Sequence, residues 1–349
     1  MHHPRRNRLG AAAAALALVT TLSACRVTGW GDGTSRPVAA NATAWITGQQ
    51  QPDGGFEVAG FAGFETPDAV MAIAEDSQQQ LGWDPAQALA AVEATVSSSG
   101  NTPLDWADDY ADGTLGAGQA AKLVVLVALP LGLTPTAFDP QGDGATDLLA
   151  AIDAGQQPGG SYGSFGTTLY AAMATKAAGG TVPAATVALV RGAQEAGGGW
   201  DFPGDAGGAD ADIDTTGAAV LALLAAGAPD TDPDLRAGLA YLATSQQASG
   251  AWSSFGSDDP NSTAMAVLAV TGAGYDPTVA CWRDRVAPSL SGSPYASPTA
   301  WLRDEQASDG HIASPSDGWG VNTFATSQSV QALRRAWMPV NASPRVTCP

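Results

Sequence analysis

The chain has 349 residues, 45% of them hydrophobic and 14% charged, with 42 Gly and 23 Pro; that is the composition of a globular protein, neither disordered nor collagenous. With 34 Asp and Glu against 15 Lys and Arg, the net charge of −19 repels phosphate backbones and disfavours nucleic acid as a partner. Of the three His, His2 and His3 fall in a leader segment, which leaves His311 and disfavours any mechanism built on a histidine pair or a His-rich metal site.

The chain starts with a basic stretch (Arg5, Arg6, Arg8), then an apolar run from Leu9 to Thr21, too short to span a bilayer, and ends this segment at Leu22-Ser23-Ala24-Cys25. The last four residues resemble the bacterial lipobox. That resemblance implies removal of residues 1–24, a lipid on Cys25 and tethering to the outer face of the cytoplasmic membrane, with plain secretion as the alternative. Residues 25–40 then read as a flexible tether, 41–338 as the folded body and 339–349 as a C-terminal tail. If Cys25 carries lipid, Cys281 and Cys348 remain as one pair, expected to form a disulfide that pins the tail. Three Asn-x-Ser/Thr sequons are coincidental in a bacterial setting.

Along the body one unit recurs: an amphipathic helix, a Gln-containing end, a Gly-rich turn with an aromatic, and an apolar Ala-rich helix. The turn is clearest at Gln49 to Phe56, Gln156 to Tyr162, Gln194 to Trp200 and Gln246 to Trp252, and degenerate at Gln306 to His311. The second helices are expected to start near Thr66, Thr114, Thr167, Thr215, Ser262 and Thr323, the second unit resting on spacing and on the apolar run after Gly116. Second helices apolar nearly all round belong inside; one-faced first helices, such as that carrying Leu235, Leu239 and Leu242, belong outside. An open stack of such hairpins would need polar end caps. The expectation is therefore an all-α, closed α6/α6 toroid of six helical hairpins, with an extra rim loop from Pro288 to Pro298.

The Gln-x-x-x-Gly-x-Trp turns, with Asp214 to Leu223 and Asn261 to Val270, resemble the prenyltransferase/squalene oxidase repeat over roughly Ala42 to Trp337. This superfamily includes squalene and terpene cyclases, protein prenyltransferase β subunits and cobalamin carriers, so the resemblance implies a ring and leaves the reaction open. Asp210-Ala211-Asp212-Ile213-Asp214-Thr215-Thr216 looks like the acid motif of squalene-hopene-type cyclases, with Thr215 where the family has its last Asp. Carried over, Asp214 is the proton donor and Asp212 the preceding acid. Against this stands an N-cap reading, in which Asp214 matches Glu65, Gly166, Asn261 and Asn322 and satisfies free N–H groups; a cap lowers a carboxyl pKa, the wrong direction for an acid. A third reading gathers Asp210, Asp212 and Asp214 around Ca²⁺.

The resemblance also implies that cyclases line their site between two helical domains, which counts against cyclisation by one ring. Zinc-dependent relatives need Asp, Cys and His sets that this chain lacks, and Ala117 has no sulfur for a thioester of the complement type. Carboxylate pairs for glycan cleavage are available, but no spacing selects one. Trp200, Trp252, Tyr162 and Phe56 serve the turns first and stack on a ligand second; His311 is a packed or surface residue before it is a base. The sequence thus points to a tethered ring binding a small corrinoid-like or isoprenoid-like ligand, or a surface partner, without catalysis. The alternatives are a terpene or squalene-type cyclase using Asp214, or a glycan-acting lyase or hydrolase. No cofactor is implied.

Overall fold

The computed structural model describes residues 34–57, 65–79, 82–208 and 210–340. Six inner helices run around a central axis: α2 (Thr66–Ser77), α5 (Ala117–Leu123, continued by a π turn over Val124–Ala128), α7 (Phe165–Ala177), α9 (Ile213–Ala225), α11 (Pro260–Gly272) and α14 (Thr323–Arg334). Each packs on the next, and α14 packs on α2, so the ring closes. Outside them lie α1 (Ser35–Gly48), α3 (Pro85–Glu93), α4 (Pro103–Ala111), α6 (Leu148–Ala154), α8 (Ala184–Gly192), α10 (Pro233–Ser245), α12 (Cys281–Val286) and α13 (Pro298–Asp304). A two-stranded hairpin, β1 (Trp252–Ser254) and β2 (Ser257–Asp259), is the one sheet among the described residues. The fold is the all-α toroid expected from the repeats. No helix among the described residues is long and apolar enough to cross a membrane.

The repeated turn explains how the sequence makes a ring. In four units the Gln side-chain amide donates to the carbonyl of its own turn glycine: Gln50 to Gly54 (3.0 Å), Gln194 to Gly198 (2.8 Å), Gln246 to Gly250 (2.9 Å) and Gln306 to Gly310 (3.0 Å). The same amide also reaches the start of the next outer helix, at Asp234 O for Gln194 and at Val38 O for Gln306 (both 2.8 Å). The Gln306 bond joins the last unit to the first and closes the circle. Gly198 and Gly310 have φ of +92° and +106°, and a Cβ there would stand 2.6 Å from Ala237 O and 2.5 Å from Asn41 O. Only glycine permits both the backbone and the close approach.

The aromatic after each turn is held by an inner-helix threonine, whose hydroxyl accepts the aromatic's backbone N–H: Thr66 for Phe56 (2.8 Å), Thr168 for Tyr162 (3.0 Å), Thr216 for Trp200 (3.0 Å) and Thr263 for Trp252 (2.9 Å). Thr326 does the same for Ile312 at 3.1 Å. Trp200 and Trp252 are fully buried and donate their indole N–H to Val190 O and Leu242 O, both at 2.7 Å.

Three boundaries differ from expectation. Residues 35–40, read as tether, are the first turns of α1, because Pro37 is tolerated in a first helical turn and Ala39, Ala42 and Ile46 supply a buried face. At the other end Pro339 and Val340 belong to the body, Val340 being buried. The second inner helix begins at Ala117, not near Thr114: the Gln119 side chain accepts the Gly116 N–H at 2.7 Å and fixes the start there. Cys25 and Cys348 lie outside the described residues. Cys281, at the start of α12, is not a free thiol.

Candidate functional site

The five threonines give the inner helices a common register, and the residues two and five positions further on face the axis together. The first layer is Asp68, Tyr170, Ala218, Met265 and Gln328, joined by Lys122 from α5; the second is Met71, Met173, Leu221, Leu268 and Gln331, joined by Val125. Most of them line a central cavity of about 50 Å³. In the upper layer Lys122 Nζ pairs with Asp68 Oδ2 at 2.6 Å and stands 5.4 Å from the Phe324 ring centroid. Gln331 donates to Asp68 Oδ1 at 3.1 Å.

The bore has a floor. The chain after α14 turns back through Arg335, at φ +47°, and lays Trp337, Met338 and Pro339 against the cavity. Glu75 holds this segment by accepting the N–H groups of Ala336 and Trp337, both at 3.3 Å. Burial pushes the Glu75 carboxyl up to about 8, against the opposing pull of those two N–H groups and of Arg334 and Arg335. Trp337 leans on Trp83, ring centroids 5.3 Å apart.

The mouth lies at the N-terminal ends of the inner helices. Beside it a cleft of about 620 Å³ is lined by Asp210, Asp212, Asp214, Tyr241, Phe255 and Ser262, among others. The structure separates the roles of the three acids. The cap of α9 is Asp212, whose Oδ1 accepts the Thr215 N–H at 2.7 Å. Ser164, Asp259 and Asn322 occupy the same place on their helices and cap them in the same way. Asp214 is therefore not the cap. It sits two residues into the helix, matching Gly166, Asn261 and Phe324, so the expected correspondence with Asn322 was displaced by two positions.

Asp214 is exposed to solvent at the mouth and accepts the Ser262 hydroxyl at 3.1 Å. Its depth within the ring, then the neighbouring charges of Asp212 and Asp259, push its carboxyl up to about 7, and the Ser262 bond opposes them. Because water reaches the side chain, it weakens both the contribution of depth and that of the two carboxylates, and the upward direction is what stands. The expectation of a lowered value followed from the cap reading and fails with it. Burial, and after it the charges of Asp68 and Asp214, raise the Tyr170 phenol.

The other expected site residues fall elsewhere. Phe56, Tyr162, Trp200 and Trp252 are buried in the turns and line neither the cavity nor the mouth cleft. Asp210, Asp212 and Asp214 do not converge on one point, as a Ca²⁺ site would need; Asp212 is committed to its cap and Asp214 to Ser262. His311 Nδ1 lies 2.6 Å from Asp309, with its ring tilted on Trp45. Glu75 was read only as one of the carboxylates available for glycan cleavage, and Tyr170 and the Lys122–Asp68 pair were missed. The layer rule could have found the last two, since Asp68 and Tyr170 hold equivalent places in their repeats.

No family model matches the chain, and no curated protein matches it. Solved structures do. The type II terpene cyclase MstE from Scytonema, in its apo form, superposes with a TM-score of 0.55 at 14% identity, covering 86% of this chain and 97% of that one. A variant of that cyclase in complex with geranylgeranyl dihydroxybenzoate, its substrate, gives 0.58 at 14% identity over 86% and 97%. A protein from Actinoplanes gives 0.53 at 16% identity, covering 86% of this chain and 99% of the other. At these identities the likeness establishes the α/α toroid and no activity. This ring is matched over 97% of that cyclase's chain.

Proposed function

We propose that the protein takes the apolar, isoprenoid-type end of a small ligand into the bore of its ring. The observation that carries this reading is the cavity wall: Met71, Met173, Met265, Leu221 and Leu268 converge below a polar mouth. At about 50 Å³ the cavity accommodates no isoprenoid chain as packed. Three methionines, the most adaptable of apolar side chains, and a floor made of one returning segment are the parts that would yield. The likeness to a cyclase that binds a geranylgeranyl compound supports the choice of ligand class. Native mass spectrometry after incubation with farnesol tests it: an adduct of one farnesol is expected, and its absence at saturating farnesol overturns the reading.

A second reading, proton donation by Asp214 to such a ligand, is favoured by the raised carboxyl and its access to solvent. A general acid works best with a pKa near the working pH. Asp214→Asn keeps the shape and the Ser262 contact but removes the proton; farnesol binding with unchanged turnover in that variant sinks the catalytic reading alone. The resemblance of residues 22–25 to a lipobox supports anchoring through a lipid on Cys25 at the outer face of the membrane, and the expected Cys281–Cys348 bridge suits that oxidising setting. Cys25→Ser should release the protein from the membrane fraction.

A further inference from the structure

On the outer side of the ring, far in sequence from Asp214, a carboxylate is buried without a cationic side chain paired to it among the described residues. Asp108, on α4, is 1% exposed. Its Oδ2 accepts the Gln141 N–H at 2.8 Å, and its Oδ1 has no hydrogen-bond partner. One carboxylate oxygen from each of Asp108, Asp139 and Asp143 lies within 4.8 Å of the other two. None of the ion pairs seen among the described residues involves these three. Oxygens twice the Ca²⁺–O distance of about 2.4 Å apart, or closer, are what one calcium ion between them requires.

Asp139 and Asp143 are carried on a short closed loop. Phe138 and Thr146 pair as an isolated antiparallel bridge, with Phe138 fully buried as the anchor. Asp139 Oδ1 gathers the N–H groups of Gly142, Asp143 and Gly144 at 2.8, 3.0 and 3.3 Å. Gln141 ties the loop back to α4 through Asp105 O (2.9 Å) and Asp109 Oδ1 (3.1 Å). A buried carboxylate oxygen without a partner is costly unless a cation meets it. Hard carboxylate oxygens select an oxygen-seeking divalent ion, and an open, partly solvated site without rigid octahedral geometry favours Ca²⁺ over Mg²⁺.

We propose that Asp108, Asp139 and Asp143 form a calcium site that fastens the loop between the second and third hairpins to α4. The site is independent of the bore and of any ligand there. Isothermal titration of the chelator-treated full-length protein with CaCl₂ is expected to show one site with a Kd of about 10⁻⁴ M, the range of exposed extracellular sites. Asp143 is exposed, so Asp143→Asn should fold normally and weaken binding at least tenfold. Asp108→Asn should abolish binding, and its melting temperature should no longer rise with Ca²⁺. Equal binding by wild type and Asp143→Asn, or no binding by wild type at 5 to 10 times that concentration (about 10⁻³ M), overturns the proposal.

Discussion

Asp214 and Glu75 mark the two ends of one bore. They stand about 11 helical positions apart in register, or roughly 16 Å along the axis. Both carboxyls are raised, to about 7 and about 8. Yet Asp214 faces water at the mouth, whereas Glu75 is 1% exposed and its oxygens accept backbone N–H groups of the floor segment after α14, the plug of the bore. The comparison shows that a raised carboxyl becomes available for chemistry only where a ligand can reach it. At the floor the same shift records the cost of sealing the ring.

The largest expected effect separates the two ends by pH. Unfolded, Glu75 loses its proton near 4.5; folded, it keeps it to about 8. Folding therefore takes up a proton across that window, and the stabilisation is complete below pH 4.5 and lost as the pH rises to 8. The loss is on the order of 5 kcal/mol from the shift alone. Glu75→Gln, which mimics the protonated acid, should remove most of this slope and exceed the wild type in urea resistance at pH 8. An unchanged slope would mean that Glu75 is ionised in the folded ring. Asp214 has the same sign over a window from 3.8 to about 7, but in contact with water its contribution is small.

Next in size is the plug. Trp337→Ala should cost about 3 kcal/mol, the usual loss for a large aromatic, and should enlarge the bore. Urea denaturation reads the first effect and uptake of longer prenyl alcohols the second. Smaller again is the cap. Asp212→Ala should lose about 1 kcal/mol, while Asp214→Asn should stay within about 0.5 kcal/mol of the wild type. The reverse order would restore the cap to Asp214.

The ring itself was legible because it is written several times over. Gln, Gly, aromatic and Thr recur with the spacing that the turn's hydrogen bonds demand, and each copy corroborates the others. What occurs once was not legible. The Asp-x-Asp-Thr-Thr run allows two alignments with its sister units, and the bonds that the Thr215 N–H donates to Asp212 and the Trp200 N–H donates to Thr216 fix which acid is the cap. The plug departs from the repeat at Arg335, so no copy announces it. Residues 35–40 looked like tether on composition, since the bond from Gln306 to Val38 that draws them into the ring spans 268 residues.

The bore is the proposed place where ligand binds. Leu221 is nearly buried in the cavity wall, and a Trp in its place would fill the space between Met173 and Leu268. Calorimetric titration of the wild type and of Leu221→Trp with farnesol, once melting curves show that both rings are folded, tests this directly. The account predicts binding with a negative heat-capacity change by the wild type and none by the filled ring. Equal binding by both would place the ligand outside the bore and contradict it.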